Sequence, residues 1–193
     1  MSQAPRYTLT VLLALLVCCC AAQPVSAQSR SLRIRRLEYD DVKAPVYNSN
    51  YSGGSSSPKW MEISCEYDTL PDWIDRLDFR YFVMVEHKTT KERKLFTAEV
   101  SYLDVAQGAK HVSTMFLRPS TIARYGECKG VAVEIRYQGR LVAEEADPRP
   151  RRQQRWWLGP QPVTGYLLNR AQTPFAFIQV NEHETIDVSS GLR

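Results

Sequence analysis

The sequence predicts an all-β, antiparallel sandwich, on three observations. Short segments alternate apolar and polar residues with the two-residue period of a strand. Turn residues recur about every 8 to 15 residues. No segment beyond the N-terminus carries a long helical period. A small barrel is the alternative packing for the same pattern.

The elements follow in order. Leu32, Ile34, Leu37 and Tyr39 mark a first strand, bulged where the alternation slips. Residues 60–67 form a strand with Met61, Ile63, Cys65 and Tyr67 on one face and Glu62, Ser64 and Glu66 on the other. Leu70-Pro71-Asp72-Trp73 reads as a turn, and residues 74–77 as one helical turn. Residues 79–87 are almost continuously apolar, as in a strand covered on both faces. A polar connection over 88–92 leads to a strand over 95–103, where Phe96, Ala98, Val100 and Tyr102 alternate with Thr97, Glu99 and Ser101. Gln107-Gly108 turns the chain into residues 111–117. Residues 119–126 predict a short helix with Ser120 as N-cap and Gly126 at its end. Residues 131–137 form a strand, and Gln138-Gly139 a hairpin turn into 141–143. Residues 175–180 and 185–188 are the last apolar segments.

The N-terminus predicts export. Arg6 precedes an apolar stretch of about 14 residues, shorter than the roughly 20 that span a bilayer. Val25-Ser26-Ala27 ends it with the small residues of a signal-peptidase site, so residues 1–27 read as a secretory signal peptide. Residues 28–193 then form a single domain in the periplasm, the outer envelope or the extracellular space, with no second membrane-length segment. Lipidation is the competing fate, but Val17 before Cys18 does not fit its signature. Loss of Arg6 lowers the net charge from +4 to +3, too mild to indicate nucleic-acid binding.

Two cysteines remain after cleavage, Cys65 and Cys128. An even pair in an oxidising compartment suggests a disulfide, stabilising by about 4 kcal/mol if unstrained. Two separate buried thiols are the other reading. A cysteine on an early core strand and one near a late strand match the inter-sheet bridge of immunoglobulin-like (Ig-like) domains. The match is partial: Gly126 stands where such domains carry a tyrosine, and Trp73 falls in a turn.

No catalytic or metal motif appears, and no cofactor is expected. His87, His111 and His183 lie on separate elements without ligand spacing. The carboxylates Asp40-Asp41, Asp72/Asp75 and Glu144-Glu145 show no facing pair that sequence can detect. There is no nucleophile elbow around any serine. Gly53-Gly54 lacks the lysine and the strand–helix setting of a phosphate loop. Asn50-Tyr51-Ser52 is a glycosylation sequon.

The one surface feature with binding potential is the basic loop ending in two tryptophans. Arg149, Arg151, Arg152 and Arg155 can bind carboxylate, sulfate or phosphate in forked geometry. Trp156 and Trp157 could stack on a sugar, anchor a protein contact, or pack onto the domain.

Trp60-Met61-Glu62-Ile63, Pro71-Asp72-Trp73-Ile74-Asp75 with the strand over 79–85, and Leu167-Leu168-Asn169 with Thr173-Pro174-Phe175-Ala176 resemble a group of secreted proteins of Verrucomicrobia. One member is an Ig-like protein encoded beside type IV pilus components. The resemblance implies an Ig-like fold and an envelope or pilus association, and transfers no site residue. The expected function is therefore a non-enzymatic interaction or structural module with an envelope or pilus protein as partner. A carbohydrate- or polyanion-binding module using the loop from Arg149 to Trp157 is the alternative, and an unrecognised enzyme the third reading.

Overall fold

The computed structural model describes residues 32–45, 59–150, 154–178 and 184–188. The expected signal peptide over residues 1–27, Gly53-Gly54, the sequon, Arg151, Arg152, His183 and the tail from Ser189 lie outside them. Among the described residues seven strands form one mostly antiparallel sheet: β1 (Leu32–Lys43), β2 (Lys59–Glu86), β3 (Arg93–Leu117), β4 (Glu127–Tyr137), β5 (Arg140–Asp147), β6 (Leu167–Asn169) and β7 (Thr185–Ile186). A short helix, α1 (Pro119–Tyr125), joins β3 to β4. No helix among the described residues is long and apolar enough to cross a membrane.

Expectation and structure differ most at β2 and β3. The sequence divides each into two strands with a turn between. In the structure each runs unbroken, and residues 74–77 belong to β2 rather than to a helical turn. The turn residues produce a bend instead of a reversal: the β2–β3 register shifts between Thr69 and Trp73, and Asp104 and Lys110 on β3 take left-handed φ values of 52° and 65°. Extra residues in one strand bend a sheet without ending its ladder. The first half of β2 pairs with β1 and the second half with β4, which pairs in turn with β5. The bend brings β1 beside β5, so one sheet curls almost into a barrel rather than dividing into two separate sheets.

The inward face carries the main core. Ile63, Cys65 and Tyr67 from the first half of β2 meet Leu77, Phe79, Tyr81 and Val83 from the second, with Val100, Tyr102, Val131 and Ile135. Tyr67 and Phe79 touch with ring centroids 5.0 Å apart. The outward face is not bare. The chain after β5 returns across it, seating Trp157 on Phe82, Leu95, Ala132 and Ala146, and Phe175 flat against Phe116 at 4.7 Å and edge-on to Trp60 at 5.8 Å. This explains the apolar continuity of residues 79–87: both faces of that segment are covered.

Smaller expectations divide similarly. The register slip in β1 falls between Ile34 and Arg36. Gln138 and Gly139, with φ of 50° and 75°, make the hairpin turn in its mirror-type form. Helix α1 forms, but its N-cap is Arg118 and Pro119 opens the first turn, so Ser120 is not the cap. Residues 173–178, the described part of the apolar segment near the C-terminus, are turns and bends.

Cys65 and Cys128 are free thiols, correcting the expected disulfide. Cys65 lies beside Tyr81, which pairs with Val133, whereas Cys128 pairs with Val85. About four residues of strand, roughly 13 Å, separate those levels, against a Cα span of about 4.4–6.8 Å for a bridge. Cys128 instead sits 3.6 Å from the Gly130 carbonyl, near Tyr39. Burial raises both thiols, Cys128 to about 11. Thiolate is the nucleophile, so both should react slowly. Iodoacetamide at pH 8 should leave Cys65 unlabelled in the folded protein. In urea without reductant, mass spectrometry should show two labels; none would restore the bridge.

Candidate functional site

Among the described residues of the loop from Arg149 to Trp157, both arginines and both tryptophans find partners within the chain. Arg149 pairs with Glu145 at 3.3 Å and Arg155 with Glu144 at 2.7 Å. The Trp156 indole N–H donates to the Pro148 carbonyl at 3.0 Å. Trp157 is a core residue whose indole N–H donates to Glu134 at 3.0 Å. Of Arg149, Arg155, Trp156 and Trp157, only the Arg149 side chain stands mostly in solvent.

The two described histidines, His87 and His111, are structural in different ways. His87 Nδ1 accepts the backbone N–H groups of Thr89 and Thr90 and so shapes the β2–β3 turn. His111 lies 2.6 Å from Glu184 through Nδ1 and 3.2 Å from Thr69 Oγ1 through Nε2, with its ring stacked on Tyr67. A hydroxyl, an imidazole and a carboxylate in line have the order of a nucleophilic relay. Here the Thr69 hydroxyl is buried, donates to the Ala106 carbonyl at 2.7 Å and accepts the Gly108 N–H at 3.0 Å. It therefore holds the bend of the hairpin, and His111 ties the approach to β7 onto it. A Cβ at Gly108 would lie 2.7 Å from His111 Nε2, so this residue makes room for the ring.

Among the described residues no three His, Cys, Asp or Glu side chains gather as metal ligands. The carboxylates singled out in the sequence are dispersed. Asp41 pairs with Lys59, Glu144 and Glu145 hold the arginines above, and Asp75 is exposed. Nothing is described of the Asp72 side chain.

The sequence reading missed a polar groove of about 530 Å³ on the β3 side of the sheet. Arg76 and Arg80 of β2 reach it across Thr97, Glu99 and Ser101 of β3, and Asn169 with Gln172 forms the opposite wall. Alternation sets this up: Leu77, Phe79 and Tyr81 point inward, so Arg76, Asp78 and Arg80 point out. Arg76 is engaged through all three of its nitrogens, donating to Asp78 at 2.7 Å, Asp187 at 3.1 Å and Ser101 at 2.9 Å. Contact with Asp78 raises the Arg76 guanidinium further, keeping it a fixed cation. Arg80 is different. Its guanidinium stacks over Phe82 at 5.3 Å, and its Nε lies 3.5 Å from Glu99, a contact too long to satisfy the N–H. Among the described residues three buried side-chain polar atoms lack a hydrogen-bond partner, Tyr67 Oη in the core and Arg80 Nε and Asn169 Oδ1 at the groove. Buried polar atoms are rarely left so.

A protein-family model matches residues 23–189 of the chain. A crystal structure of a protein from Akkermansia muciniphila, a Verrucomicrobium, superposes with a TM-score of 0.69. The two chains are 21% identical, over 81% of this chain and 92% of the other. At that identity the likeness carries the fold, and it says nothing of a pilus. No curated protein matches the chain.

Proposed function

The chain belongs to the family whose model spans its residues 23–189, and from that premise we propose that it is an exported, non-catalytic interaction module of the cell envelope. The N-terminal pattern of Arg6, the apolar stretch and Val25-Ser26-Ala27 supports export. The near-barrel sheet, folded by the bend at 69–73 and backed by a continuous core, supports a role as a rigid frame presenting contacts. An Ig-like relation between the two halves of the bent sheet, and association with a type IV pilus-like appendage, belong to the same reading. They rest on the sequence resemblance to secreted verrucomicrobial proteins.

The observation that carries the reading is the groove beside β3, where polar groups are held in place with hydrogen-bonding capacity unspent. An interaction module needs fixed, incompletely answered groups on a surface that does not move. Two measurements test this. Intact mass of the exported protein should show a chain beginning at Gln28. A photo-crosslinking residue at Thr164, on the groove rim, should trap a discrete envelope protein in cells of the source organism. The same residue at Thr89, in the distant β2–β3 turn, should not. Retention of residues 1–27, or equal adducts from both positions, would overturn the proposal.

A further inference from the structure

The outer edge of β3 is covered in pieces. Thr97 N–H donates to the Val163 carbonyl at 3.0 Å, and Val163 N–H donates to the Leu95 carbonyl at 2.8 Å. Further along, Asp187 N–H donates to the Ser101 carbonyl at 2.8 Å. In an antiparallel pair the backbone groups of successive residues point alternately to the two sides. Leu95, Thr97 and Ser101 direct theirs away from β2, so Glu99 between them does the same. Among the described residues no backbone group answers the Glu99 N–H or carbonyl. The gap opens into the groove that Arg80 and Asn169 line.

We infer that this gap takes the carboxyl-terminal end of an extended peptide. The inference rests on the reading of the chain as an interaction module and names the chemistry of its partner. One strand residue placed opposite Glu99 donates its N–H to the Glu99 carbonyl and accepts the Glu99 N–H, which is strand addition at its smallest scale. Its terminal carboxylate lies beside the Arg80 guanidinium, whose planar fork suits a two-oxygen acceptor. Asn169 Oδ1 supplies an acceptor for a further N–H. The groove falls within the size of sites that hold small ligands.

The charges surrounding Arg80 permit this. Asp78 and Asp187 are held by Arg76. Glu99 is 65% exposed at its side chain and touches Arg80 only at 3.5 Å. An incoming carboxylate can displace it into water with little loss, since exposed pairs contribute little. A peptide end ranks ahead of a free acidic sugar because the sugar leaves the Glu99 backbone pair unused.

The test uses the full mature chain and a mixture of fluorescein-labelled hexapeptides, randomised in the last three positions, with either a free carboxylate or an amide at the end. Fluorescence anisotropy should show saturable binding of the free-acid mixture, weakened at least tenfold by amidation. Amide exchange at Glu99 should slow when the free-acid mixture is present. Arg80→Met, which keeps the stem over Phe82, should abolish binding while leaving the melting temperature within a few degrees. No binding of the acid mixture, equal binding of the amide, or full binding by Arg80→Met would overturn the inference. Adduct formation at Thr164 separates the two proposals: an adduct without peptide binding sinks the peptide end alone, and loss of both sinks the interaction module.

Discussion

Trp157→Ala is expected to remove about 3–5 kcal/mol of folding stability, a large share of the roughly 5–15 kcal/mol that domains possess. The indole is 2% exposed and seals the smaller core on the outward face, against Phe82, Leu95, Ala132 and Ala146. Truncation opens a void there. It also leaves Glu134, buried at 3% exposure, with Arg136 at 3.0 Å as its remaining strong partner. Urea denaturation should show the lower midpoint. A loss under about 1 kcal/mol would mean that residues 154–158 do not dock on the sheet in solution.

The same contact sets a pH dependence. Burial alone would raise the Glu134 carboxyl, but the Trp157 N–H and the Arg136 guanidinium outweigh it, with Arg155 adding to them, and hold it below the usual carboxylate range. A carboxyl lowered on folding stabilises the protein above its unfolded pKa of about 4.3, and this is lost as pH falls through the folded value. Trp157→Phe keeps most of the ring but loses the N–H. Its stability should therefore decline less between pH 5 and acid than that of the parent chain.

What the sequence could show depended on range. Alternation over five to eight residues located β1, β4 and the halves of β2 and β3, because side-chain period is local physics. The expected turn at Leu70-Pro71-Asp72-Trp73 misled because the same residues serve a reversal or a bend. Only the partner strand, shifting register between Thr69 and Trp73, decides between them. Site residues were illegible for the same reason. Thr69 and His111 are 42 residues apart, and His111 and Glu184 are 73 apart. Arg80 is one polar residue in the apolar stretch 79–87, and Asn169 stands out only as part of the family resemblance. The Arg149–Trp157 loop was conspicuous in composition, yet Glu144 and Glu145 one strand away answer two of its arginines. The bridge between Cys65 and Cys128 failed on distance along the sheet, which composition does not encode.

Gly126 is a position where a local signal and the tertiary structure agree, and Gly126→Ala should cost about 3–4 kcal/mol. The residue ends α1 at φ 104°, a conformation that side chains rarely adopt, and its N–H donates to the Ile122 carbonyl at 2.9 Å. Strain of that kind alone is worth about 1–3 kcal/mol. Space adds the rest. A Cβ there would lie 2.0 Å from the Glu86 carbonyl oxygen and 2.7 Å from His87 Cα. Neither can retreat cheaply, because Glu86 closes β2 and is paired on both sides, with Arg93 of β3 and Glu127 of β4. Relief would have to come from moving α1, which would disturb Tyr125 against Phe96 and Tyr166. Gly139→Ala is the control: φ is 75°, but nothing lies within 4 Å of the added carbon. That variant should cost about 1 kcal/mol, the conformational part alone. Thermal melts of the two should therefore separate by roughly 4–10 °C for a domain of this size. Equal melting temperatures would mean that the end of α1 yields to the clash without cost, and that the close approach to β2 is not what fixes glycine there.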